Sequence, residues 1–224
     1  MLPMKKAIPF IQRFGAELFG TMILSLFVLA SLIFQAGITP IIAGVIFAIM
    51  VYSISHISGS HLNPAVTIGA FLINKMTWQE ALVNIAAQFA GAGLALAIAF
   101  GLLNADAGIL AQAGVTLSVV LETFNANATN SIAVGLAEMI GAALFTFGIA
   151  SVIYGRVEKA ASGLLIGSAL IAGLVLATAL GSSGVLNPAV ALTIGHFNAM
   201  YILGPIVGSI VGMWLFTLLD MKVK

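Results

Sequence analysis

Apolar stretches broken by short polar punctuation fill this 224-residue chain from end to end. Apolar runs cover 8–35, 39–55, 78–103, 131–155, 162–180 and 200–219. Each is near or above the ~20 residues that an α-helix needs to cross the hydrocarbon layer of a bilayer. Periodicity cannot separate faces within them, because most faces are apolar; length and Gly, Pro and Asn punctuation set the boundaries. Two shorter apolar runs, 64–73 and 188–196, follow the polar turns at 55–62 and 181–184. A polar connector rich in Asn, Ala and Gly, 104–129, separates the first three long runs from the last three. The pattern predicts an all-α membrane protein with six transmembrane helices and two half-length ones, in a single domain over 1–224.

The short runs start alike, at Asn63-Pro64-Ala65 and Asn187-Pro188-Ala189. Asn is a strong helix N-cap, and Pro is preset for the first helical turn, where its missing N–H costs nothing. Each tripeptide therefore marks a helix that starts at membrane depth. Irregular backbone is tolerated there only where it is buried in protein or lines a cavity. Two capped helix starts, one per half, predict two re-entrant half-helices meeting near the midplane.

The halves repeat. Ala16-Glu17-Leu18-Phe19-Gly20 recurs as Ala137-Glu138-Met139-Ile140-Gly141, and the Asn-Pro-Ala-Val tetrapeptide recurs, at offsets of 121 and 124 residues. Three spans per half is an odd number, so the second half enters from the opposite side. The expected repeats, about 8–103 and 131–220, are inverted. All eight basic residues (Lys5, Lys6, Arg13, Lys75, Arg156, Lys159, Lys222 and Lys224) fall on one side of this six-span arrangement. The connector carries Asp106 and Glu122 and no base. The positive-inside rule then puts both termini in the cytoplasm. Lys5 and Lys6 before an apolar run could open a signal peptide, but the run is too long and lacks a cleavage site, so it reads as the first span.

Composition changes the picture only by exclusion. The chain is 61% hydrophobic and 7% charged, against roughly 25% charge in soluble domains. Lipid is its solvent, and the cell membrane its place. Without Cys there is no thiol nucleophile, disulfide or thiolate metal site, and the three His lack ligand spacing. No metal or cofactor is implied. No basic cluster is dense enough for nucleic acid. No grouping of nucleophile and base suggests an enzyme, and ion-coupled transport would want more intramembrane charge than Glu17 and Glu138.

The residues also carry a resemblance. The segment His56-Ile57-Ser58-Gly59-Ser60-His61-Leu62-Asn63-Pro64-Ala65-Val66-Thr67 resembles the first signature of the aquaporin and aquaglyceroporin (major intrinsic protein) family. Ala16 to Thr21 is similar to its first-span motif, Ala87 to Ala92 to its third, and Gly204-Pro205 with Gly208 to its sixth. The resemblance implies a homotetramer with one pore per protomer. It implies passive movement of water and small neutral solutes, with Asn63 and Asn187 as donors to the lumen. It also implies that Glu17 and Glu138, helped by Gln88 and His56, brace the loops before the half-helices. His61 is a second candidate on the first loop, with a pH gate as the rival role for either His; His196 ends the second half-helix.

One departure stands out. In the family an Arg normally follows the second Asn-Pro-Ala and lines the narrowest point; here Val190 stands there. Counting from the two signatures places the other filter positions at Ala43, where an aromatic is usual, at Gly184, and at Val175, or Leu174 if a small indel lies near Gly181. Such a ring has no side-chain donor, charge or bulky group. The expectation is a wide apolar filter passing solutes of glycerol, urea or metalloid-acid size. The alternatives are a water-selective pore, or a non-conducting or gated structural member of the same fold, in which the apolar ring dewets.

Overall fold

The computed structural model describes residues 8–33, 37–105 and 131–221. Among them, helices and loops are the only elements, in the order α1 (Phe10–Ile33), α2 (Thr39–Ser58), α3 (Pro64–Leu72), α4 (Trp78–Ala105), α5 (Ile132–Ile153), α6 (Lys159–Ala179), α7 (Pro188–Thr193) and α8 (Ala199–Asp220). Six of these are long and apolar enough to cross a membrane, and α3 and α7 are the two short ones. The connector 104–129 and the ends of the chain with Lys5, Lys6, Lys222 and Lys224 fall wholly or largely outside the described residues.

The helix ends follow the punctuation. Pro64 and Pro188 open α3 and α7 behind Asn caps. α2 closes on left-handed Gly59 (φ 95°) as its cap, and four more helices close on a left-handed residue just past the cap: α3 at Asn74 (φ 57°), α5 at Gly155 (φ 70°), α6 at Gly181 (φ 94°) and α7 at Gly195 (φ 76°). In each of these four, the following N–H reaches back to the last turn, as in Lys75 N–H to the Ala70 carbonyl (3.0 Å) and His196 N–H to the Ala191 carbonyl (2.8 Å). Gly195 is why α7 stops at Thr193, short of the expected His196. α2 runs past the expected end to Ser58, and α6 starts earlier, at Lys159.

The packing repeats across the halves. α1 packs on α2 and α4; α5 packs in the same way on α6 and α8. α2 crosses α6 at the centre, α3 touches α8, α7 touches α4, and α3 meets α7. Helices in lipid gain no hydrophobic driving force from one another, so close backbone approach at small residues supplies the contact. Gly44 and Gly167 lie against each other's carbonyls where α2 crosses α6. Gly91 of α4 lies on the Leu18 backbone, and Gly208 of α8 on that of Met139. A Cβ at any of these four positions would meet backbone that cannot yield. Ile11, Phe19, Leu82, Leu164 and Trp214 stand exposed on the outside, as lipid-facing residues do. The described bases Arg13, Lys75, Arg156 and Lys159 sit at helix ends on one side, here called the basic end; the other is the far end.

Candidate pore and filter

Each half-helix hangs from a carboxylate. Glu17 is fully buried in α1. Its Oε1 accepts from Ser58 Oγ (2.6 Å) and His61 N–H (2.9 Å), and its Oε2 from Leu62 N–H (2.7 Å) and Gln88 Nε2 (2.7 Å). Glu138 in α5 takes Ser182 Oγ (2.5 Å), Val185 N–H (3.0 Å) and Leu186 N–H (2.6 Å). These bonds satisfy loop N–H groups for which the bilayer offers no partner.

The loops then turn sharply. Leu62 (φ 51°) and Leu186 (φ 55°) are fully buried yet left-handed, a strain of about 1–3 kcal/mol each. The strain has a use. Asn187 Nδ2 donates to the Leu62 carbonyl (2.9 Å), and Asn63 Nδ2 to the Leu186 carbonyl (2.8 Å). Each Asn also caps its own helix: Asn63 Oδ1 takes Ala65 N–H (2.9 Å), and Asn187 Oδ1 takes Ala189 N–H (3.0 Å). An amide nitrogen carries two protons, so each Asn Nδ2 retains a second one after the cross-link. Pro64, Ala65, Pro188 and Ala189 are buried in the first turns behind the caps.

A cavity lies on each side of this meeting point. The far-end cavity is about 530 Å³ and reaches from Ser31, Thr39 and Pro40 down to Asn63 and Asn187. Ala43, Leu170, Leu174, Gly184, Val185, Val190 and His196 are among its walls. The basic-end cavity is about 390 Å³, lined by Val51, Ser55, Ser60, His61, Val66, Lys75 and Ile166 among others. Phe47 lines both.

Of the four expected filter positions, the structure brings Ala43, Gly184 and Val190 to the far-end cavity. The span-five position needs correcting. Val175 is half exposed on the outer surface, and Leu174 faces the cavity. The α6 register decides this: Leu170, Leu174 and Thr178, four residues apart, share the inward face. Gly184 is required where it stands, since its φ is 62° and a Cβ would press on Thr178 Oγ1 and the Leu174 carbonyl. His56 also needs correcting. It is exposed in the last turn of α2, in a surface groove with Ile8, Gln12 and Ile57. The loop is instead held by His61, whose N–H reaches Glu17 and whose Nδ1 lies 3.1 Å from Thr67 Oγ1. Gln88 bridges Glu17 and Thr67. His196 lies beyond the end of α7, where it stacks on Tyr201 at 5.2 Å between ring centres and lines the far-end cavity.

Sequence reasoning missed two features. Arg13 joins the Ser58 carbonyl (2.7 Å) to Glu80 (2.6 Å) beneath the first loop, a tertiary contact with no local signature. Phe47 was readable, one helical turn from Ala43 on the same face.

Six bilayer-length helices, two half-helices cross-linked at their caps, and a cavity on either side define a membrane channel. Known proteins narrow the class. The family model for the major intrinsic protein family matches residues 4–216. Aquaporin NIP1-1 of Zea mays is 29% identical over 95% of this chain and 76% of its own length. Aquaporin NIP2-2 of Zea mays is 32% identical over 78% of this chain and 57% of its own. The X-ray structure of the aquaglyceroporin from Plasmodium falciparum shares the fold, with a TM-score of 0.61 and 20% identity over 96% of this chain and 97% of that one. The chain belongs to the major intrinsic protein family. It is a multi-pass membrane protein and a passive channel for water and small solutes, not an enzyme.

Proposed function

We propose that this channel passes neutral solutes larger than water, of glycerol, urea or metalloid-acid size, alongside water. One observation carries the reading: the far-end wall at Ala43, Leu174, Gly184 and Val190 offers no side-chain donor and no charge. Where an Arg would narrow the passage and favour acceptors, Val190 leaves room in a cavity of about 530 Å³. Hydration is replaced instead by the free protons of Asn63 and Asn187 and by loop carbonyls. The half-helix N-termini place partial positive charge at the same point, of the order of half an elementary charge each. That charge opposes cations and leaves neutral solutes alone. Purified protein in liposomes, followed by stopped-flow light scattering with water, urea and glycerol gradients, tests the reading. Solute flux well above that of empty liposomes is expected; water flux alone would refute it.

The same reading places the chain in the cell membrane as a homotetramer with both termini in the cytoplasm. The placement of Arg13, Lys75, Arg156 and Lys159 at one end supports the orientation. A C-terminal reporter active only outside the cytoplasm would reverse it, and a monomer in native mass spectrometry would remove the tetramer.

A further inference from the structure

We propose that Phe47, and not the ring around Val190, sets the largest solute that this pore passes. The inference rests on the channel reading above and locates its size limit. Among the described residues, Phe47 is the one that lines both cavities, and it shares the far-end cavity with the paired Asn. Its side chain is 1% exposed. The shared wall makes this ring the point at which a passage joining the two cavities is narrowed.

Two contacts keep the ring from swinging away. Phe145 meets it edge to face, with centroids 5.4 Å apart and planes at 89°, and is itself fully buried. The α2 backbone cannot retreat, because Gly44 is already in contact with Gly167 across the α2–α6 crossing. On the same helix face, Ala43 lies one turn toward the far end, about 6 Å along the axis. The bulk missing at Ala43 is therefore present at Phe47, where the two cavities approach each other. A solute must shed water and fit past an aromatic ring at one point, whereas the far-end cavity acts as an antechamber. Pore width at such a point decides which solutes pass.

The chain contains no Cys, which makes a clean test possible. Wild type, Phe47→Leu, Phe47→Val and Phe47→Cys are reconstituted, and the flux of water, glycerol and erythritol is measured. The solute-to-water ratio is expected to rise in the order Phe, Leu, Val, by about threefold or more for erythritol in Phe47→Val. A membrane-impermeant mercurial added to Phe47→Cys is expected to block flux, while wild type ignores it. This block does not depend on how well the Val variant packs. A conducting wild type with unchanged ratios in the variants, or a labelled Phe47→Cys that conducts as before, overturns the role of Phe47 and leaves the channel reading intact. A silent wild type with a conducting Phe47→Val supports Phe47 and removes the wide-pore reading. Silence of both, in folded and reconstituted protein, removes both readings.

Discussion

The two re-entrant loops are built on one plan and finished differently. Both hang from a buried Glu, both pass a left-handed Leu, and both donate an Asn amide to the other's carbonyl. Around that shared centre, the first loop gathers polar and charged support. Gln88 links Glu17 to Thr67, and Arg13 and Asn84 reach the Ser58 carbonyl. The second loop has neutral support. Tyr201 O–H donates to Ser183 Oγ (2.9 Å) and accepts Ser183 N–H (3.1 Å), and His196 stacks on the same ring. Aligning Gly91 with Gly208 puts Pro205 at the place of Gln88, and Pro has no donor for Glu138. What the halves share fixes the midplane. Among the described residues, what differs makes one mouth charged and the other mostly apolar.

Breaking a carboxylate brace tests the shared part and has the largest expected effect. Glu17→Ala strands four donors and Glu138→Ala three, and each unsatisfied buried group costs about 1–3 kcal/mol. Both variants are expected to lose most folded protein. The milder Glu17→Gln should lower the thermal midpoint in detergent more than Glu138→Gln, since Glu17 serves both its loop and α4. Equal shifts would mean that Gln88 contributes nothing to the asymmetry.

The paired Asn come next. Asn63→Asp or Asn187→Asp replaces a donor to the opposite carbonyl with an anion beside the half-helix starts. The expected outcome is a protein that still inserts, is destabilised by about 1–3 kcal/mol, and leaks protons or cations in liposomes. Cation-tight variants would show that the midplane barrier is independent of these side chains. The apolar mouth is sharpened by Val190→Arg, which adds a long planar donor to the far-end cavity. Glycerol flux should fall more than water flux. Equal losses would mean that residue 190 does not bound the path.

How much of this could be read from the chain depends on the range of each contact. The spans, both half-helices and the two buried Glu were legible, because length, capping chemistry and a duplicated motif are local signals. The choice between Val175 and Leu174 was not, because counting back from Asn187 crosses the turn at Gly181, where one residue rotates α6 by about 100°. The repeat held the answer: matching Gly44 to Gly167 pairs Leu174 with Val51, and both line cavities. His56 and His61 flank the same loop and carry the same chemistry; only the end of α2 at Ser58 shows that His56 is still on a helix facing outward. Arg13 and Glu80 are 67 residues apart, and nothing short of the α1–α4 packing brings them together.

That ion pair gives the smallest expected effect and the finest test of the charged finish. Arg13 and Glu80 side chains are 13% and 27% exposed, so solvent and salt screen the pair in part. Glu80 also caps α4, where its Oε2 accepts Thr77 N–H (2.8 Å) and Thr77 Oγ1 (3.0 Å). Arg13 likewise has a second partner, the Ser58 carbonyl just before the loop. A simple ion pair at this exposure contributes about 1 kcal/mol or less. Arg13→Gln removes the pair and the loop contact together, whereas Glu80→Gln removes the charge and keeps an acceptor for Thr77. The Arg13 variant should therefore lose more stability than the Glu80 variant, and only the part due to the ion pair should shrink as salt is raised. Thermal unfolding in detergent at low and high salt separates the two contributions. The second loop, which has no such pair among the described residues, provides the internal control. Tyr201→Phe removes its neutral support, and the resulting loss should not change with salt. If Arg13→Gln and Tyr201→Phe respond to salt alike, the charged finish is not what distinguishes the two mouths.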